Sequence, residues 1–526
     1  MSTNSANRNV VMILAGAGML CLCLCVLFVG GVFAFRKEVG QAVPALQPVL
    51  SANDQATATP QRVLSRTPAP TKTRLPTEPR LVEVTVVRLP TEPSAPTEPP
   101  APTKPPRVEV TVPAASTAEG PTPTQRAASS LDPAIARSMD EIQQQVIEIR
   151  GLQPSGTFSR DVLTPAQLRE NTILDFHKDN TPEDIRKDVI ELSALGLLEP
   201  GFDLGTFYID LLSEQVAGYY KNETKEMFVV GEQFGGMERL TYSHEYVHAL
   251  QDQNFDIKNG LQYDTEPCKL DSERCAGVQA LLEGDASLAQ LDWFTKYATT
   301  QDFTDITEFY TNFTMPVYDS APDFMKADFL FPYEAGQKFV EALYKQGGWE
   351  AVNAAYAGVP VSTEQIIHPE RYPADKPVKV QLADFSAALG DGWQEITRNV
   401  MGEWYTYLIL AKGLDSSYRL DDGTASAAAE GWGGDAYAVY YNDQSGESVL
   451  VVSYTWDALN EADEFASALI QYGRLRFGQP VSSEAGQTAW KYAGGYSIFR
   501  QTGQATQWVL APSQTAAEAV WEAIGF

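Results

Sequence analysis

Apolar positions follow three regimes along the chain. Residues 10–35 are apolar throughout and carry no charge. At a helical rise that run is long enough to cross the hydrocarbon core of a bilayer, which takes about 20 residues. Over residues 38–128 the pattern dissolves into Pro, Thr, Ala and Glu. There Arg74-Leu75-Pro76-Thr77-Glu78-Pro79 recurs at 88–93, and Val-Glu-Val-Thr-Val occurs at 82–86 and 108–112. Such a segment cannot bury a core and reads as a disordered, extended stalk.

From residue 131 the helical period sets in. Ile135, Met139, Ile142, Val146 and Ile149 fall on one face. Thr164-Pro165 and Thr181-Pro182 are N-cap-plus-proline helix starts. Residues 225–230 predict a short strand, and 241–256 and 271–298 predict two long helices. Further helices are predicted for 333–346, 349–356, a short capped turn from Ser362 to His368, and 394–410. From about 430 the period becomes two. Strands are expected at 436–441, 449–454, 488–492, 496–500 and 507–510, entered by a turn at 431–435, with helices at 460–474 and 514–524.

Charge and cysteine narrow the possibilities. The chain has 526 residues and a formal net charge of −29. That balance excludes a nucleic-acid partner, because phosphate binding needs a basic face. Arg8 precedes the apolar run, and Arg36 and Lys37 follow it, so flanking charge does not orient it. A Pro/Thr stalk suits the cell exterior, which predicts a single-pass anchor with the bulk extracytoplasmic. Cleavage after Val32-Phe33-Ala34, giving a secreted protein, is the alternative. Of five cysteines, only Cys268 and Cys275 lie outside the apolar segment. A disulfide is the favoured reading for an oxidising compartment; free thiols and metal-bound thiolates are the others.

The strongest chemical signal is His244-Glu245-Tyr246-Val247-His248. Residues four apart share a helix face, so both imidazoles can aim at one ion. Zn²⁺ suits such a pair, and Glu245, one step round the helix, suits the base that activates a metal-bound water. With only four histidines in 526 residues, this spacing rarely arises by accident. A third ligand is needed. Glu283 stands on an otherwise apolar helix, where a carboxylate is costly unless paired or metal-bound; taken alone it would read as exposed. His177 lies in a polar stretch and His368 precedes Pro369, so neither competes well. Asp252, one turn after His248, is a candidate acceptor for that ring's other N–H, and Asp285 a second supporting acid.

His-Glu-x-x-His followed by Glu283-Gly284-Asp285-Ala286 resembles the gluzincin metallopeptidases, the thermolysin-like and aminopeptidase-like group. Ser243–Gln253 together with 283–286 is similar to an uncharacterised family of bacterial, largely extracytoplasmic metalloproteases, over a span from about residue 135 to the C-terminus. The resemblance implies His244, His248 and Glu283 as ligands and Glu245 as base. Phe331-Pro332-Tyr333-Glu334-Ala335-Gly336 resembles the segment that supplies an oxyanion-binding tyrosine in the aminopeptidase branch, which implies that role for Tyr333; a core tyrosine opening a helix is the other reading. It also implies that strand 225–230 edges the cleft and can pair with an extended substrate. Gly235-Gly236-Met237-Glu238 lacks the position and the Asn of the aminopeptidase N-terminus-binding signature, and reads as the entry to the His helix.

The expected fold is α+β. A predominantly helical, zincin-like catalytic domain (129–425) carries a small C-terminal α+β lobe (426–526), behind an N-terminal transmembrane helix (1–37) and a disordered stalk (38–128). The expected function is a membrane-anchored zinc metallopeptidase acting on peptide or protein substrates. The rival is a surface-anchored binding or structural module that holds zinc on the same scaffold without cutting.

Overall fold

Helices begin where the capping chemistry places them. Asp132 caps Pro133–Arg150, and Thr164 and Thr181 form capping boxes with Gln167 and Asp184 at Pro165–Asp179 and Pro182–Ala194. The computed structural model describes residues 131–525 other than 485. The expected anchor and stalk lie outside these residues. Among the described residues no helix is long and apolar enough to cross a membrane.

The architecture is α+β. A three-stranded sheet of order β1-β3-β2 joins Ser159–Leu163 (β1), Gly218–Lys221 (β2) and Glu226–Val230 (β3). It packs on the helix Gly236–Phe255, which carries the two histidines. β3 is the central strand, parallel to β1 and antiparallel to β2. Both its edges are therefore paired, and the expected pairing with an extended substrate is corrected: β3 has no free edge to offer. The sequence reading lacked β1, which lies more than sixty residues upstream and is only five residues long.

The Glu283 helix, Ser272–Tyr297, crosses a long helix, Asp323–Ala357, at very close range. A Cβ added to Gly284 would stand 2.1 Å from the Gly336 carbonyl oxygen, and one on Gly336 would stand 2.2 Å from that of Ala280. Only glycine lets the two backbones touch there. Tyr333 was expected to open its helix. Instead the helix starts at Asp323 and runs through Pro332, giving up one backbone bond at that proline. A break at Gly347-Gly348, where Gly348 has φ +65°, separates the part starting at Trp349.

The C-terminal part is a seven-stranded sheet of order β4-β5-β6-β10-β9-β8-β7. The five expected strands fall within Trp432–Asn442 (β5), Glu447–Trp456 (β6), Gln487–Tyr492 (β8), Gly495–Thr502 (β9) and Ala505–Ala511 (β10). The expected entry turn at 431–435 is mostly strand, irregular between Trp432 and Gly434. Short Ser482–Glu484 (β7) closes one edge. The helix expected at 394–410 divides into an edge strand, Trp393–Asn399 (β4), and a helix, Gly402–Ala411. Gly402 at φ +71° makes the break. The sheet thus begins before residue 426. One core also crosses that expected boundary, with Tyr219, Tyr333 and Leu408 in the same buried cluster as Trp432 and Trp508.

Asp435 of β5 fastens the two parts. Buried to 2 % exposure, it accepts from the Met401 and Gly402 backbone N–H groups and from Trp432 Nε1. Burial pushes its carboxyl up to about 7 against the pull of those donors.

Two outcomes follow from this packing. Gly336→Ala forces backbone apart rather than a side chain, so a loss of about 2–3 kcal/mol in unfolding free energy is expected; an unchanged urea midpoint would contradict the close crossing. Asp435 binds its proton more tightly folded than unfolded, so its contribution is full below pH ~4 and is lost as pH rises through about 7. Asp435→Asn is expected to flatten the stability–pH curve over that window, read by denaturation at matched pH values.

Candidate metal centre

Two elements build the site. The Gly236–Phe255 helix presents His244 and His248 on one face, with their rings 4.8 Å apart. The Ser272–Tyr297 helix presents Glu283 opposite them. Glu283 Oε2 lies 3.2 Å from His244 Nε2 and 3.5 Å from His248 Nε2. All three side chains are buried, none more than 2 % exposed. Their nearest ligand atoms lie within 4.8 Å of one another, a group that could hold a metal ion. The structure therefore brings together the three residues that the sequence picked as ligands.

The electrostatics fit a cation. Burial would raise the Glu283 carboxyl, but the His248 and His244 imidazoles beside it more than offset this and hold it down at about 2. Burial pushes His244 below its ordinary value, with Glu283 and Gln290 opposing. A divalent ion would need the carboxylate ionised and the imidazoles neutral, so its binding would displace any proton that the rings share with Glu283.

Behind the ligands runs a chain of hydrogen bonds. His248 Nδ1 lies 2.8 Å from Gln251 Oε1. The Gln251 amide nitrogen donates to the Leu282 carbonyl at 3.0 Å and to Asp285 Oδ2 at 3.1 Å. Both partners can only accept, so the NH₂ must face them and Oε1 must face the ring. His248 Nδ1 then carries a proton, and whenever the ring is neutral its Nε2 lone pair is left toward Glu283. Asp285 is held in turn by Arg150, through Nε at 2.6 Å and the second guanidinium nitrogen at 3.1 Å, and by the Tyr356 hydroxyl at 2.5 Å. Its expected supporting place near the site is thus one reached through Gln251.

Asp252 is corrected. Its carboxylate takes the Tyr220 hydroxyl at 2.8 Å and Lys225 Nζ at 2.5 Å, facing the small sheet. The acceptor for the His248 ring is Gln251, three residues on, where i+3 and i+4 positions compete for the same face. Gln251, Arg150 and Tyr356 were missed by the sequence reading. A Gln one turn after the second His was a usable signal; Arg150, 135 residues from Asp285, left none.

Glu245 is fully buried on the same helix, under β2. A Cβ on Gly218 would stand 3.3 Å from Glu245 Cγ and 2.5 Å from Thr241, so the strand passes directly over this residue. Tyr333 is buried, one turn before the Gly336 contact with the Glu283 helix. Cys268 and Cys275 form a disulfide at the start of that helix, which removes both as metal ligands. His368 pairs with Glu403 at 2.9 Å, and His177 is exposed. A second acid group, Glu364, Asp375 and Asp457, already surrounds a cation: Arg371 lies 2.5 Å from Glu364 and 3.1 Å from Asp457.

Residues 389–521 match a family described as a domain of unknown function (DUF8575). That span covers the seven-stranded sheet and leaves the His–His–Glu group outside it. No curated protein and no solved structure matches the chain.

His244→Ala and Glu283→Ala are each expected to lose stoichiometric metal, measured by elemental analysis; a full equivalent retained by either variant removes that residue from the ligand set. In the unaltered protein, protons compete for the imidazole lone pairs, so metal is lost as pH falls. Because burial lowers the His244 pKa, this loss is expected below the usual imidazole value of about 6.5.

Proposed function

We propose that the chain is a zinc-dependent metallopeptidase of gluzincin type, anchored in a membrane by residues 10–35 and acting outside the cytoplasm on peptide or protein substrates. One observation carries this: two imidazole Nε2 atoms and a carboxylate from separate helices converge, with the tautomer of one ring set by Gln251. Two nitrogens and one oxygen fit the three protein ligands of a catalytic zinc site, with the fourth position left for water or substrate. A zinc ion bound there supplies Lewis acidity and a water of lowered pKa.

The chain's own residues then divide the work. Glu245 accepts the proton of the attacking water at its carboxylate and passes it to the leaving amine, as the C–O bond forms and the C–N bond breaks. Tyr333 donates its hydroxyl hydrogen bond to the oxygen that gains charge. Gln251 and Asp285 keep His248 in the orientation a ligand needs. The Cys268–Cys275 disulfide supports an oxidising compartment.

The non-catalytic module is favoured by one observation, the burial of His244, Glu245, His248 and Glu283 at 2 % exposure or less. A single variant separates the two readings. In the peptidase, Glu245→Gln keeps its zinc and loses roughly 10²–10⁴ of its rate on an unfolded protein substrate. Zinc-loaded wild type that cleaves no faster than Glu245→Gln favours the module and ends the peptidase reading.

A further inference from the structure

The helix Pro133–Arg150 contributes no ligand, yet it ends at the metal centre. It is fastened along its length. Arg239 donates to Ser138 at 2.7 Å, Gln143 donates to Tyr242 at 2.6 Å, and Trp293 donates to Gln145 at 2.8 Å. Met139, Ile142 and Val146 are fully buried beneath it. Arg150 is its last residue, after which Gly151 at φ +74° turns the chain away. The Arg150 guanidinium is wholly buried, 4.5 Å above the Trp349 ring, and holds both oxygens of Asp285.

We infer that Arg150 is a positioning residue for the metal centre, and that docking of the Pro133–Arg150 helix is a condition for His248 to be a competent ligand. The inference rests on the metal-site reading above and extends it to how that site is controlled. The Gln251 amide is oriented by two acceptors, and only one, the Leu282 carbonyl, belongs to fixed backbone. The other, Asp285, is held by Arg150 through both carboxylate oxygens and by the Tyr356 hydroxyl, and of these two Arg150 alone brings a charge. Without Arg150, Asp285 is a buried carboxylate stripped of its cation and is drawn from its position. The Gln251 amide then turns about its last torsion. A turned amide offers NH₂ to His248 Nδ1, which demands the tautomer with the proton on Nε2. That tautomer has no lone pair facing Glu283. The helix thus reaches the ring through Arg150, Asp285 and Gln251 in series.

The test is ¹⁵N NMR of histidine side chains in the metal-free full-length chain, paired with zinc affinity from chelator competition. Four histidines keep the spectrum assignable, and His368, bound to Glu403, reports that the fold is intact. The unaltered chain is expected to show His248 protonated at Nδ1. Arg150→Met is expected to mix in the Nε2–H tautomer and weaken zinc binding by about 10–100-fold, with Arg150→Lys between the two. Gln251→Met cuts the same series while leaving Arg150, Asp285 and Tyr356 together, and is expected to act alike; if Arg150→Met does not fold, Arg150→Lys decides the matter. A folded variant of either kind that keeps the original tautomer and zinc affinity within about twofold overturns the inference. The tautomer is read without metal or substrate, so a chain that binds zinc but cleaves nothing overturns the peptidase reading alone.

Discussion

A carboxylate placed inside a protein must find partners, and the centre of this molecule is organised by two that do. Asp285 has Arg150, with both side chains fully buried. Glu283, two residues earlier on the same helix, has the His244 and His248 imidazoles and a geometry that suits a metal ion. Removing one partner of a buried pair costs about 3–5 kcal/mol, so the Arg150–Asp285 contact also fixes how the first helix docks. Ligand helix, histidine helix and first helix share one buried cluster around Tyr242, Tyr246, Ala286 and Trp293. The polar chain and the apolar cluster therefore hold the same three elements in the same arrangement.

What could be read from sequence divides along range of interaction. The His244/His248 pair was legible because its geometry is local, set by one turn of helix. Glu283 was legible less from its own helix, where alone it would read as exposed, than from the poverty of other ligand candidates and the Glu-Gly-Asp-Ala resemblance. The strands from 436 onward were legible through their period of two. The failures are non-local. β3 was placed at the cleft edge by the family resemblance, and β1, its parallel neighbour, is too distant in sequence to give a pairing signal against it. Residues 394–410 merged into one helix because a short edge strand and a helix nearly abut, with only Val400 and Met401 between Asn399 and the positive-φ Gly402 that starts the helix. Asp252 was named and Gln251 passed over although both lie about one turn from His248, and only the packed sheet shows that Tyr220 and Lys225 claim the former.

The glycines of the two resembling segments acquire a physical meaning. Gly284 follows Glu283, and Gly336 follows Tyr333 by three residues. The pair forms the contact where the two long helices touch backbone to backbone. The family resemblance picked out the letters; the structure supplies the reason they are small. Gly218 plays a comparable part, letting β2 pass over Glu245 and Thr241 with no side chain between.

That backbone crossing has a mechanical corollary. Helices separated by side chains can slide as rotamers rearrange, but two main chains in direct apposition have nothing to compress or repack. Glu283 and Tyr333, each within one turn of the crossing, must then translate as a single rigid strut. Any breathing that widens the space around the histidines has to come from the histidine helix and its small sheet swinging against that strut, so the acid and the tyrosine would keep their spacing through every such excursion.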